Sequence, residues 1–544
     1  MATPAKLPSR LWRRSALAWA AVLFGYAALR AYYLSFTPDE SRTYLTFVQS
    51  SLFQILTFST PIEPGHLANN HVLNTMLTKL SAFFLGDSPL ALRLPNVAAH
   101  VLYLTAAYKV SFRVIRQDLL AFCTFVILSS NPYVLDFFSL SRGYGLAMSF
   151  SLVALYLLLR APGRLIRSAG DTAAVFVTGA LAVLSNLAFL HLYIALCLAF
   201  LLIVLAACRQ EASPERENSS NGRDAGKAWR KFFSAGWAHS RAWLTAGGIS
   251  ILLAIYVTPM ILKLSSLGAL YYGGENGFLQ DSVYYLLHDL AYPSAPGIFA
   301  SPAGSTVTYA LKALLILLGL WLFAALLLLA ARLWRNRFTE DGFRLLAAMG
   351  VMLGCALSIL VQHHVFGIRY PIGRSTLFLF PSFVLAAFWS TRYFWRAGPV
   401  QGLFLAVALF CGLQWTFSAN LSTCNDWEID AAVEPAVDDL SALRPGEPVS
   451  LACHWRFAVT LNYYRQARDL DWLAEVQRHS LDNAEAHNYF LYISSEPPPR
   501  LPLEVLRTYR SRRVVLARRS SPSSLLQDPA GLTALGTRRD NGLR

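Results

Sequence analysis

Residues 37–42 read Thr-Pro-Asp-Glu-Ser-Arg, placing two adjacent carboxylates, Asp39 and Glu40, and an arginine where the first hydrophobic run ends. Thr37 is positioned to cap a helix that begins at Pro38 and carries acids in its first turn. That cap also fixes the direction of a side chain, and a carboxylate held in one direction at a membrane surface is what a general base needs. Downstream lie Glu63, His66, Asn69, Asn70, His71 and Asn74, a polar set in an otherwise apolar chain. Ionisable groups beside a bilayer are costly, which makes them the first candidates for chemistry. His66, His71, His363 and His364 could hold a divalent cation with Asp39 and Glu63. Their spacing is not that of a zinc site, however, and scattered histidines of this kind more often serve as hydrogen-bonding groups.

The elements that must position these residues are membrane helices. The chain has 544 residues, 55% hydrophobic and 15% charged, where a soluble protein carries about 25% charged residues. Apolar runs recur from position 15 to position 418, and a run of about 20 residues crosses a hydrocarbon core of roughly 30 Å. Eleven spans are expected, near 15–35, 90–110, 119–136, 143–160, 172–189, 191–208, 243–264, 306–331, 343–364, 372–391 and 399–418. The net charge of +15 does not imply a nucleic-acid partner, because its distribution tracks topology. With the N-terminus inside, the inner segments and their helix ends hold 23 Lys and Arg. The outer loops before residue 419 hold Arg42, Lys79, Arg142 and Arg369, with Arg93, Lys263 and Arg374 at their helix ends. This is the positive-inside pattern of a multi-pass protein of a bacterial inner membrane, with a cytoplasmic N-terminus and an extracytoplasmic C-terminal region. The basic N-terminus before the first run resembles a signal peptide, but Arg30 and the lack of a small-x-small cleavage site favour an uncleaved span.

Between the spans, the outer loop 36–89 contains two apolar segments, Tyr44–Leu56 and His71–Phe84, expected to lie in the interface plane. Span two opens with Arg93-Leu94-Pro95, the proline standing where a helix can start. A short outer turn holds Arg142-Gly143-Tyr144, and Gln280–Tyr292 suggests another interfacial helix. The inner loop 209–242, rich in polar residues, is expected to be flexible. Five cysteines fall in spans. The other two, Cys424 and Cys453, lie in the outer C-terminal region, where a disulfide between them is open to formation. Spans cease near 419. Short strands are expected at Pro448–Leu451, Tyr489–Ile493 and Arg513–Ala517, with a helix at Arg456–Arg468. The organisation is thus an all-α membrane domain over 1–418, a small α/β domain over 419–519 and a disordered end over 520–544.

Taken with the lone first span, the Asp39-Glu40 pair resembles the GT-C superfamily of polyprenyl-phosphate-dependent glycosyltransferases. The similarity is to the branch of protein mannosyltransferase-like and aminoarabinose transferase-like enzymes. It continues through the interfacial segments, Arg93 to Pro95, Arg142-Gly143-Tyr144 and Tyr370-Pro371-x-Gly-Arg374, covering roughly residues 15–418. The Asn70-His71-x-Leu-Asn74 stretch departs from the His-Pro-Pro-like segment of many relatives, and the C-terminal region carries no motif of the family. The resemblance implies a sugar donor on a polyprenyl phosphate and a lipid, glycan or protein acceptor. Asp39 would be the general base and Glu40 an orienting or cation-binding carboxylate. Arg374 and Arg142 would bind the donor phosphate, and His66, Asn70, His71 and Tyr370 would line the substrate site. A lipid-borne donor needs no nucleotide fold, and the chain has neither G-x-G-x-x-G nor a P-loop. A transporter or flippase of lipid-linked glycans is the alternative, as is a polymerase or ligase of surface polysaccharide. The absence of repeated broken helices weighs against the transporter.

Overall fold

The structure, a computed structural model, describes residues 9–62, 64–115, 117–212, 237, 239–270, 273–292, 319–321, 323–329, 331, 339–394, 398–443, 448–496, 500–510 and 513–520. Glu63, most of the expected span 306–331, most of the inner loop 209–242 and the end beyond 520 lie outside the described residues. The chain divides into two compact units, one of residues 1–34 and 46–426, the other of residues 35–45 and 427–544.

The first unit is helical. Its elements begin with α1 (Ser9–Tyr33); α2 (Pro38–Arg42) belongs to the second unit, and α3 (Leu52–Thr57) and α4 (Val72–Leu85) follow in the first. Then come α5 (Pro89–Lys109), α6 (Asp118–Ser129), α7 (Pro132–Asp136), α8 (Tyr144–Arg160), α9 (Pro162–Leu165), α10 (Ala169–Ser185) and α11 (Leu190–Ala212). The unit continues with α12 (Ser240–Ser266), α13 (Tyr285–Leu290), α14 (Glu340–Phe366), α15 (Leu379–Phe394) and α16 (Gly398–Ser418). Among the described residues, six stretches are helical, long and apolar enough to cross a membrane: Arg10–Tyr33, Pro89–Ile115, Leu187–Glu211, Ser240–Ser266, Glu340–Phe366 and Gln401–Ser418. The chain is a multi-pass membrane protein. At 1.5 Å per residue, the 17 residues of α8 or α10 rise only about 26 Å, which puts them below that length.

Local sequence explains where the elements depart from the expected spans. The run 119–136 breaks because Asn131 caps a new helix at Pro132, its side chain accepting from the backbone of Tyr133 and Val134. Span two starts at Pro89, with Ser88 as its cap, so Pro95 sits inside the helix rather than at its start. The run 372–391 becomes helical only at Leu379. Before it, Gly373 takes a left-handed φ of 56° and residues Gly373–Thr376 form a 3₁₀ turn. The interfacial segment at Tyr44–Leu56 divides into a π-helical turn, Thr43–Val48, and α3, which Ser51 caps.

α11 packs on α14 through small residues. A Cβ added to Gly354 would lie 2.8 Å from Ala195 Cα, and one at Gly350 would lie 3.3 Å from Ala199 Cα. Two small-xxx-small faces therefore meet with their backbones in close approach, the arrangement by which helices associate where burial from water supplies no drive.

The second unit is an α/β fold. β3 (Leu451–Cys453), β4 (Tyr489–Ile493), β5 (Leu503–Tyr509) and β6 (Val514–Arg519) form one sheet in the order β3-β4-β6-β5, after the short pair β1 (Gly273–Gly274) and β2 (Tyr370–Pro371) in the first unit. β3 and β4 are parallel and the other two pairings are antiparallel. α17 (Val433–Ala442) and α18 (Ala458–Ala467) complete the unit, and Ala452, Phe490, Val515 and Ala517 form a core under the sheet. The segment 419–426, expected in this domain, packs in the first unit instead. Cys424 and Cys453 are separate buried thiols rather than a disulfide.

Candidate active site

The acidic pair sits at the start of α2 in the second unit. Thr37 and Glu40 close a reciprocal capping box: the Glu40 backbone N–H donates to Thr37 Oγ1 at 3.3 Å, and Glu40 Oε2 accepts from the Thr37 backbone N–H at 3.0 Å. Glu40 is 1% exposed, and its Oε2 closes the cap. Asp39 is half-buried. Two adjacent acids of identical chemistry thus have different environments, set by position in the first turn. Within the same unit Asp39 acts electrostatically on Asp430, a buried carboxylate gripped by Arg456.

In the first unit a second cluster gathers around Arg142, itself buried. Arg142 Nη2 donates to Asn69 Oδ1 at 3.2 Å, tying the turn after α7 to the segment before α4. Asn74 Nδ2 donates to the Ser141 carbonyl at 3.4 Å, and Asn96 Nδ2 donates to Asn74 Oδ1 at 2.7 Å. The ring of His71 meets Tyr144 edge-on at 5.7 Å, and Asn70 donates to the Ile55 carbonyl at 2.8 Å. Gly143 is required here, since a Cβ would fall 1.8 Å from the Ser185 carbonyl oxygen. The structure therefore brings Arg142, Asn70 and His71 together. His66 lies half-buried on the 3₁₀ turn Pro64–Asn69 that leads into them.

Arg374 heads a third cluster. Its Nη1 donates to Asp426 Oδ2 at 3.0 Å, and the Tyr133 hydroxyl donates to the same oxygen at 3.4 Å. Asp289 lies against Gly373, where a Cβ would sit 2.6 Å from its Oδ2. Burial pushes the Asp426 carboxyl up from its ordinary value, Arg374 pulls it down and Asp289 raises it. Asp289 in turn holds the His288 imidazole above its usual range. The Arg142 and Arg374 clusters are joined by rings: Tyr133 meets Phe137 at 5.3 Å and Phe137 meets Tyr144 at 4.9 Å. Tyr370, expected to line the substrate site, stacks on His363 at 4.0 Å and is 5% exposed, while its backbone pairs with Gly274.

A buried ion pair supports this cluster from within the helices. Arg30 pairs with Asp136 and donates to the Thr423 carbonyl. Asp136 also accepts from Tyr292 Oη at 3.1 Å and from the Asn425 backbone at 3.0 Å. The clamp fixes residues 423–425, and with them the neighbouring Asp426 that orients Arg374. Arg93 of the Arg-Leu-Pro motif acts on α1 instead, donating to the Ala31 and Leu34 carbonyls at 3.1 and 2.7 Å and capping its end. Asp426, Asp430, Arg456 and the Arg30–Asp136 pair were not among the sequence candidates. Arg30 alone carried a signal, being a charge inside a span that must find a partner. Among the described residues no three His, Cys, Asp or Glu side chains gather as a metal-binding group.

No family model matches the chain, and no curated protein does. Among solved structures it is similar to ArnT from Cupriavidus metallidurans bound to undecaprenyl phosphate, at 14% identity over 94% of this chain and 98% of that one, with a TM-score of 0.37. The apo state of the same protein aligns at 11% identity over 93% and 97%, with a TM-score of 0.34. Arabinosyltransferase EmbB from Mycobacterium smegmatis aligns at 15% identity over 79% of this chain and 44% of that one, with a TM-score of 0.31. These are loose likenesses.

Proposed function

We propose that the chain is an integral-membrane glycosyltransferase of GT-C type that moves a sugar from a polyprenyl phosphate to an acceptor at the extracytoplasmic face. The observation that carries this reading is the division of labour in the Thr37–Glu40 capping box. Glu40 is buried and closes the cap, and the cap fixes the helical turn that carries Asp39, which stays only partly buried. A base for an alcohol acceptor needs a fixed, accessible carboxylate. In the proposed reaction Asp39 takes the proton of the acceptor hydroxyl. The acceptor oxygen forms a bond to the anomeric carbon, the bond from that carbon to the phosphate oxygen breaks, and polyprenyl phosphate leaves with the electron pair.

The departing phosphate needs a cation, and a guanidinium offers two parallel N–H donors to it. Arg374 suits the task because Asp426, which also accepts from Tyr133, holds it in place while 32% of its side chain stays exposed. Arg142 is held by Asn69 at the opposite end of the Tyr133–Phe137–Tyr144 ring chain, with His71, Asn70 and His66 as the neighbouring polar groups. The apolar helices suit a donor that arrives from the lipid phase.

The test is turnover of a synthetic polyprenyl-phosphate sugar by the purified chain in lipid nanodiscs. A transferase releases free polyprenyl phosphate and glycosylated acceptor. Movement of intact donor across vesicles, with the phosphate–sugar bond unbroken, would favour the transporter reading.

A further inference from the structure

The second unit holds the Asp39 segment from both sides. Before Asp39, the Phe36 backbone N–H donates to Tyr464 Oη at 2.8 Å, and the Phe36 ring stacks on Tyr463 at 4.0 Å. Ser35 Oγ donates to the Ala431 carbonyl at 3.1 Å. After Asp39, Ser41 Oγ donates to Thr460 Oγ1 at 3.3 Å, and Tyr44 meets Tyr463 edge-on at 5.4 Å. All of these partners come from α18 or from the turn Ile429–Ala432. Beside them Asp430 is 1% exposed and is gripped by Arg456. Nε lies 3.0 and 2.7 Å from its two oxygens, and Nη2 lies 2.6 Å from Oδ2.

We infer that Asp430, Arg456 and Tyr464 are positioning residues for the Asp39 carboxylate within the second unit. The inference rests on the reading of Asp39 as the base. A buried ion pair is weak evidence for stability, because desolvation offsets most of its attraction; fixing one geometry is a better-attested use. Here the pair adjoins Ala431, whose carbonyl accepts from Ser35 ahead of Asp39. Arg456 also favours the charged form of Asp430, and a neighbouring negative charge strengthens Asp39 as a proton acceptor. Burial opposes that ionisation, and Asp39 itself is felt at Asp430 as a like charge. Burial sets the direction of the Asp430 shift, Arg456 offsets part of it, and Asp39 adds a small like-charge contribution.

The experiment measures kcat, donor KM and melting temperature of the full chain in nanodiscs, with a synthetic polyprenyl-phosphate sugar as the donor. Tyr464→Phe keeps the ring and removes the hydroxyl that accepts from the Phe36 N–H. Its kcat is expected to fall about tenfold with donor KM unchanged, while the orphaned Phe36 N–H lowers the melting temperature only modestly and leaves the chain folded at the assay temperature. Arg456→Gln should lose about 10²-fold, the cost of a displaced catalytic group, and Arg456→Lys should not restore it, because an ammonium lacks the fork. Arg507→Gln breaks an exposed pair with Asp439 on β5 and should keep wild-type kcat. Wild-type kcat in both Tyr464→Phe and Arg456→Gln, with Asp39→Asn inactive, would overturn this inference and leave the transferase reading intact. A fall in kcat that merely tracks the loss of folded protein would overturn it as well. No transfer by the wild-type chain would overturn both.

Discussion

Arg374 and Arg142 are the same side chain in two settings. Arg374 keeps 32% of its side chain open and shares Asp426 with Tyr133, whereas Arg142 is 2% exposed as a residue. The open guanidinium is the better candidate for a leaving phosphate. Arg374→Ala should cut transfer about 10²–10³-fold, as loss of one preorganised charge-stabilising group does. Arg374→Lys should recover only part of it, because the charge remains and the fork is lost. Equal rates in Arg374→Ala and wild type would make this residue an interfacial anchor. Asp430 gives a pH prediction. Burial raises its pKa to about 6 against the pull of Arg456, above its ordinary value of 3.8. In this interval the folded state binds more protons than the unfolded one, so the contribution of Asp430 to stability falls as pH rises from about 4 to about 6. The shift corresponds to about 3 kcal/mol at most. Asp430→Asn should flatten that part of the melting-temperature profile, measured on the full chain; an unchanged slope would contradict it. Asp39 and Glu40 were legible in the sequence because adjacency and a Thr-Pro cap are local signals. Asp426 and Asp430 were not, since their arginine partners lie 52 and 26 residues away, a pairing that only the fold creates.

At the scale of elements, helices were readable wherever apolar length alone decides them. α11, α12 and α14 fall where the hydrophobic runs put them. β4 was readable end to end, because its apolar run is buried in the sheet. β5 was not, for it lies at the sheet edge with exposed and half-exposed positions throughout and has no fully buried face to betray it. α17 was hidden by Pro435 and its acidic residues, yet Val433, Ala436, Val437 and Leu440 bury one side of it. The α11–α14 contact depends on glycine for a reason that the sequence alone does not declare. A Cβ at Gly354 would stand 2.8 Å from Ala195 Cα, a backbone atom that cannot swing away. Gly354→Ala should therefore destabilise the membrane unit by about 1–3 kcal/mol, read as a lower melting temperature in nanodiscs. Gly247, on α12, has nothing within 4 Å of its Cβ position. Gly247→Ala should hold or raise the melting temperature, by up to about 1 kcal/mol of helix propensity. Equal behaviour of the two variants would refute the close-packing account.

The whole molecule joins a lipid-embedded helical unit to a unit that carries the acidic pair, and the chain passes between them at residues 34–35, 45–46 and 426–427. Composition announced the first unit and said little about the second, whose short strands and paired charges leave no strong period. It also hid that residues 35–45 belong with the C-terminal unit, since that grouping rests on Tyr463, Tyr464 and Thr460, more than 400 residues away. The excess of Lys and Arg on the inner segments predicts orientation. A reporter fused after Asn420 should be active outside the cytoplasm and one fused at Ser219 inside; the reverse would move the Asp39 segment to the wrong face for the proposed reaction. The most direct test of the proposed transfer is the single-turnover rate of Asp39→Asn beside wild type, with a polyprenyl-phosphate sugar in the same nanodiscs. Asparagine keeps the size of the side chain and removes the base. A positioned base contributes roughly 10²–10⁴ in rate, about 3–5 kcal/mol of barrier. The account predicts a loss of that size with folding and donor binding intact. A wild-type rate in Asp39→Asn would contradict it.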